Sequence, residues 1–201
     1  GILVPKAGIN ATFSQMRVQP GKLGFVSQSD AVGTMVLDWA LPKKVGFSHF
    51  VSLGDALDIG FGEVLDFLAS DPDTQAILLY IESIRDRRSF MAAARAAARN
   101  KPVVAIKAGR APHQRLLGIS DPLFLDLPNL ISSDDVFDAV LRRAGILRVE
   151  HLDELFGAVE TVVRSRPMSG SRLVAISNGG GGGIMAEDSL YLGGYAMPAL
   201  S

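Results

Sequence analysis

"KLGFVSQSDAVGTMVLDWALPK", residues 22–43, reads as a strand, a small polar turn and a helix. The apolar run 22–27 is short enough for a strand, and 31–43 carries a helical pattern that Pro42 is placed to end. The unit recurs downstream. "SHFVSLG" (48–54) is a strand followed by a helix over 61–70, which "DPDT" stops. "AILLYIE" (76–82) is continuously apolar, as a strand covered on both faces should be. An Ala-rich helix follows over 86–100 with Asp86 near its start, then a fourth strand, "KPVVAIKAG" (101–109).

After an irregular stretch (110–132), "SDDVFDAVLRRAG" (133–145) combines an N-cap, early acids, late arginines and a glycine stop. "ILRV" (146–149) is a short fifth strand and 151–165 an amphipathic helix. Strands alternating with helices imply a parallel sheet covered on both faces. Five such units predict an α/β, doubly wound, flavodoxin-like domain over 20–149, preceded by a tail (1–19) and followed by a helix and linker (150–171).

Composition narrows the function. Hydrophobic residues make up 48% and charged residues 20% of 201 residues, which favours a folded core over disorder. A net charge of −1 gives no electrostatic case for nucleic acid or an anionic membrane as partner. The absence of cysteine excludes disulfides, thiolate metal sites and a cysteine nucleophile. No histidine pair has metal-ligand spacing, so no metal site is expected. No apolar run approaches the roughly 20 residues of a membrane span, and the first residues do not read as a signal peptide. A soluble cytoplasmic protein is the expectation.

An internal comparison adds a second copy. Laid without gaps over 172–190, residues 22–40 align Leu23 with Leu173, Ser27 with Ser177, Gly33 with Gly183, Met35 with Met185 and Asp38 with Asp188. The offset of 150 is too long for a solenoid unit and implies two tandem domains of one fold. Residues 172–201 then read as the truncated start of the second domain, and the chain as a fragment. An orphaned strand and helix would dock on the first domain or pair with another copy in a homo-oligomer.

In a doubly wound sheet, ligands sit outside the carboxyl ends of the strands. A Ser/Gly-rich turn there, opening a helix, offers backbone N–H groups and a positive dipole end to an anion. "SQSDAVG" (27–33) and "SNGGGGG" (177–183) both occupy that place, and the bland alternative is a tight turn for close packing. Neither is a Walker A loop or a GxGxxG fingerprint, and Asp30 would repel a phosphate unless turned away. Lys107 and Arg110 flank the end of strand four, as phosphate contacts or as lysine and arginine reaching solvent.

The stretches 21–40, 46–84, 101–110, 133–156 and 172–190 together resemble, in collinear order, the succinyl-CoA-synthetase-like domain of NDP-forming acyl-CoA synthetases. That resemblance implies a preceding CoA-binding domain, two flavodoxin-like domains and an ATP-grasp domain, with CoA or acetyl-CoA and ATP/ADP with Mg as ligands of the parent protein. It implies an acyl phosphate whose phosphoryl group passes to a histidine clamped by two helix N-termini, and then to the nucleotide. Ser27, Gln28, Ser29 and Gly33 match the first loop, while Asn178, Gly179, Gly180, Gly181, Gly182 and Gly183 fall in the second. Glu82 matches the acid that orients the histidine.

The family's Ser-His-Thr-Gly stretch has no counterpart in 111–135, where His113 stands only three residues after Arg110. His113 is either a displaced phosphoryl acceptor or a surface residue; His49 reads as a core histidine and His151 as a helix-start residue. Without the nucleophile, the region resembles the degenerate copy in Pat-type protein lysine acetyltransferases, a likeness that "QRLL" (114–117) shares. The main reading is therefore a regulatory CoA- or nucleotide-responsive module, with a GNAT acetyltransferase domain and protein substrates in the parent. The alternatives are an active ADP-forming acyl-CoA synthetase using His113, and a scaffold that binds nothing. The arginines of 85–99 read as a solvated helix face, and the acids at 134–135 and 153–154 as first-turn helix acids.

Overall fold

Ala76–Ile81 (β5) is the middle one of the five parallel strands in a seven-stranded sheet of the computed structural model, which describes residues 1–109, 133–164, 173–195 and 197. The strands are β1 (Ile2–Val4), β2 (Ile9–Ala11), β3 (Pro20–Ser27), β4 (Phe47–Ser52), β5, β6 (Val103–Lys107) and β7 (Leu147–Val149). Their spatial order is β2-β1-β4-β3-β5-β6-β7. The five strands from β4 to β7 in that order pair in parallel, with the chain winding outward in both directions from β3. This is the flavodoxin-like doubly wound order, whose topological switch point lies between β3 and β5.

Alternation along the central strand explains the two layers. Ile77, Leu79 and Ile81 point into a core formed with α2 (Phe61–Ser70), α3 (Arg87–Asn100) and α4 (Ser133–Ala144). Ala76 and Leu78 point into the opposite core, with α1 (Asp30–Lys43) and α5 (Leu152–Arg164). A strand buried on both faces has no polar position to alternate with, hence the unbroken apolar run. Close approaches need small residues: a Cβ on Gly62 would lie 2.1 Å from Ser89 Oγ, so the α2–α3 crossing requires glycine there.

Helix ends follow their sequence signals. Asp86 accepts from the N–H groups of Arg88 and Ser89 and caps α3, and Glu63 reaches back to the Gly60 N–H at 3.0 Å to close α2's start. Pro42 lies inside the last turn of α1; the helix stops at Lys44, whose φ of 56° and N–H bonds to Ala40 and Leu41 form a left-handed cap.

Three expectations are altered. Residues 1–19, read as a tail, contain the antiparallel hairpin β1–β2, and β1 extends the sheet by pairing with β4 (Ile2↔Val51, Leu3↔Phe50). Leu3 is buried by that pairing. The helix within 150–171, read as part of a connection, is α5, and its Leu155 and Val159 are buried against the sheet. The chain accordingly divides into two units, Gly1–Ser165 and Arg166–Ser201. In the second unit, among the described residues, the run 173–177 pairs with no strand and forms none, and the helix α6 (Gly180–Leu192) buries none of its residues. No described helix is long and apolar enough to cross a membrane.

Candidate functional site

The carboxyl end of β3 closes into a turn held by two serines. Ser27 is fully buried; its Oγ donates to the Ser29 carbonyl at 2.8 Å and accepts from the Ser29 N–H at 3.1 Å. Ser29 is the N-cap of α1, its Oγ accepting from the Val32 N–H at 3.3 Å. The Gly33 N–H donates to the Ser29 carbonyl, and a Cβ on Gly33 would lie 2.7 Å from the Phe50 ring. Gly33 is therefore a packing glycine that seats α1 on β4. The Asp30 carboxylate, which would repel an anion, accepts from the Ser52 hydroxyl at the end of β4. Among the described residues, the N–H groups of Asp30 and Ala31 have no protein acceptor, so they are the donors this helix start retains.

Gln28 crosses the switch point. Its Oε1 accepts from the N–H groups of Glu82 at 2.7 Å and Ser83 at 2.9 Å, and its Nε2 donates to Ser83 Oγ at 3.4 Å. The Gln28 N–H donates to the Tyr80 carbonyl, joining the same two loops through the backbone. From the other side, buried Lys107 at the end of β6 donates to the Glu82 carbonyl at 2.7 Å and also to Ala108. Its ammonium lies 5.4 Å from the centre of the Phe137 ring. Burial, with the Glu82 charge nearby, raises the Tyr80 hydroxyl above its ordinary pKa. The carboxyl ends of β3, β5 and β6 thus carry two neighbouring hydrogen-bonded groups, Ser27 with Ser29, and Gln28 with Glu82 and Lys107.

The turn before α6 repeats the first turn's bonding 150 residues later. Ser177 Oγ donates to the Gly179 carbonyl at 2.6 Å and accepts from the Gly179 N–H at 3.2 Å, and Gly179 is the N-cap. Among the described residues, no side chain caps this helix, and none of Gly179, Gly180, Gly181 or Gly183 has a neighbouring atom within 4 Å of where a Cβ would stand. The first-turn N–H groups are left open to a ligand.

Residues 20–162 match the family model described as the succinyl-CoA ligase like flavodoxin domain. The chain belongs to this family.

The family's relatives include the acetate–CoA ligase (ADP-forming) I subunit alpha of Pyrococcus furiosus, 35% identical over 94% of this chain and 40% of that subunit. The acetate–CoA ligase (ADP-forming) of Methanocaldococcus jannaschii is 32% identical over 94% of this chain and 26% of its own length. The apo dinucleotide-forming acetyl-coenzyme A synthetase 1 of Ca. Korarchaeum cryptofilum superposes with a TM-score of 0.87 at 28% identity, covering all of this chain and 43% of that one. The same enzyme in complex with phosphate and ADP gives 0.86 at 27% identity over the same shares. The chain thus spans less than half the length of each of these relatives. They are CoA ligases or synthetases, which favours the ligase alternative over the Pat-type acetyltransferase reading.

Within the family fold, the sequence candidates separate. Lys107 donates to carbonyl oxygens inside the domain. Gln28 gives its amide to the β5 loop, not to the loop it belongs to. Asn178 is exposed. Arg110 and His113 lie outside the described residues. Ser52 and Ser83 were not singled out by the sequence, and no local signal marks them, since both act through partners more than 20 residues away.

His49 lies elsewhere. Its Nδ1 is 3.3 Å from the Asp71 carboxylate, which also accepts from Thr74, while Lys101 binds the carbonyls of Leu68 and Asp71. Burial alone would raise the Asp71 pKa, but hydrogen bonds from Thr74 and the Asp73 N–H, with His49 and Lys101 nearby, hold it below its ordinary value. Among the described residues, no group of three or more His, Asp or Glu could hold a metal ion.

Proposed function

We propose that this chain is the phosphoryl-handling region of an ADP-forming acyl-CoA ligase. The overall reaction takes acyl-CoA, ADP and phosphate to free acid, ATP and CoA. The observation that carries this reading is the 35% identity over 94% of the chain to an alpha subunit whose name states that activity. The two serine-held turns support it, since each opens a helix with unclaimed N–H groups, the ordinary backbone device for binding phosphate. Nucleotide, Mg and CoA are proposed to be held with the help of segments that the longer relatives possess. CoA-binding and ATP-grasp domains are proposed for those segments.

In this reading the phosphate attacks the acyl carbonyl and displaces CoA, and the acyl phosphate passes its phosphoryl group to a histidine. His113 is the proposed acceptor and Glu82 the carboxylate that holds the imidazole in its nucleophilic tautomer. The turn at 27–33 supplies N–H groups to the phosphoryl oxygens, whose negative charge a helix start favours, and the turn at 177–183 is by itself a phosphate-binding turn of the same kind.

The test uses the full-length protein with acetyl-CoA, ADP, magnesium and phosphate. ATP formation, together with an acid-labile gain of one phosphoryl group that disappears in His113→Ala, is the expected result. Acetylation of protein lysines without ATP formation would instead favour the acetyltransferase reading.

A further inference from the structure

Glu82 sits where two chain segments meet, and its peptide groups are tied on both sides while its side chain is exposed. Backbone N–H groups at the end of a strand, past the last ladder partner, ordinarily bond to water or frame a turn. Here the N–H groups of Glu82 and Ser83 converge on a single acceptor, Gln28 Oε1, at 2.7 and 2.9 Å. Gln28 and Glu82 are 54 residues apart in sequence. The half-buried Gln28 amide is oriented by its own Nε2 contact with Ser83 Oγ. On the opposite side, the Glu82 carbonyl accepts from Lys107, a residue only 8% exposed whose ammonium lies beside the Phe137 ring. A lysine so buried has exchanged water for carbonyl oxygens, so the arrangement resists rotation of the Glu82 peptide.

We propose that Gln28, assisted by Lys107, is a positioning residue that fixes the backbone of Glu82 so that its carboxylate stands at the β3–β5 switch point in one orientation. The proposal rests on the ligase reading for the use of that carboxylate. It also removes Gln28 and Lys107 from the ligand-contacting set, because their polar groups are already engaged within the domain. Chemically, the device couples the turn that opens α1 to the residue that orients the nucleophile. A shift in one loop is transmitted to the other through a single amide oxygen.

Two substitutions at Gln28 separate acceptor chemistry from bulk. Gln28→Met keeps the length of the side chain and deletes the acceptor, whereas Gln28→Glu keeps an oxygen able to accept from both N–H groups. In the full-length protein, hydrogen exchange of the peptide spanning 80–86 should quicken at two amides in Gln28→Met and return to the wild-type rate in Gln28→Glu. Exchange within β5 should be the same in all three proteins. ATP formation should fall on the order of 100-fold in kcat for Gln28→Met, the effect of a misplaced reacting group, with KM for acetyl-CoA unchanged. Gln28→Glu should restore it. Wild-type protection or wild-type kcat in Gln28→Met overturns the proposal, as does a folded Gln28→Glu that restores neither. A wild-type protein that makes no ATP defeats the ligase reading, whereas full activity in Glu82→Gln leaves that reading standing and defeats the catalytic use of the Glu82 carboxylate and of the clamp. Exchange rates then still decide whether the clamp itself exists.

Discussion

The turn at 27–33 and the turn at 177–183 share a bonding plan and differ in what fills it. In both, a serine hydroxyl donates to a carbonyl two residues on and accepts from the N–H of that same residue, after which a helix begins. The first turn then engages more of its groups within the protein, keeping only the Asp30 and Ala31 N–H groups without a protein acceptor among the described residues. Ser29 occupies the Val32 N–H, Asp30 places a carboxylate at the first helical position, and Gly33 is committed to packing on Phe50. The second has no cap, no acid in its first turn and no side chain on five consecutive residues. Equal geometry therefore does not imply equal affinity for an anion: on the proposed function, the bare turn is expected to be the stronger phosphate site and the capped turn the more stable helix start.

A carboxylate placed in the bare turn should break that difference most visibly. Gly181→Asp has open space for its side chain, and an acid in a first helical turn favours the helix, so folding is expected to survive. ATP formation by the full-length protein should nonetheless fall on the order of 100-fold, the cost of spoiling one preorganised anion-binding group. Unchanged kinetics would remove the turn at 177–183 from the phosphate path.

Paired alanine substitutions at the aligned glycines sharpen the contrast next. Gly33→Ala should destabilise the first unit by about 1–3 kcal/mol, because its methyl meets the Phe50 ring. Gly183→Ala, with nothing nearby, should favour α6 by up to about 1 kcal/mol through helix propensity. Urea titration reads the first and helical circular dichroism the second; the same sign at both would show that the two glycines serve one purpose.

The smallest effect concerns the cap. Ser29→Ala should cost about 1 kcal/mol in urea midpoint stability. Gly179→Ser should gain only a few tenths, since glycine is itself an acceptable N-cap.

How much of this was readable beforehand depends on the distance over which each interaction acts. The helix 61–70 and the apolar strand at 76 were fixed by local pattern and agree with α2 and β5. The hairpin of 2–11 was not, because two three-residue strands carry no period, and β1 owes its place to pairing with β4, some fifty residues away, while β2 pairs with β1. Asp30 could be recognised as a problem for phosphate, but only Ser52 shows where its charge is held. Gln28 is legible as a residue at the ligand end of the sheet, but its bonds to the Glu82 and Ser83 N–H groups are not, since a loop glutamine looks alike whether it binds a ligand or a distant backbone.

The sequence by itself determined the alternation of strands and helices, the two-sided burial of the central strands, the repeated turns and the family resemblance. All of these follow from residue type and spacing along the chain. Tertiary structure alone decided the strand order, the seating of Gly33 on Phe50, the burial of Lys107 and the clamp of Gln28 on Glu82. Those depend on which atoms the fold brings within about 3 Å of one another, and hydrogen bonds and hard contacts at that range leave no periodic trace in the chain.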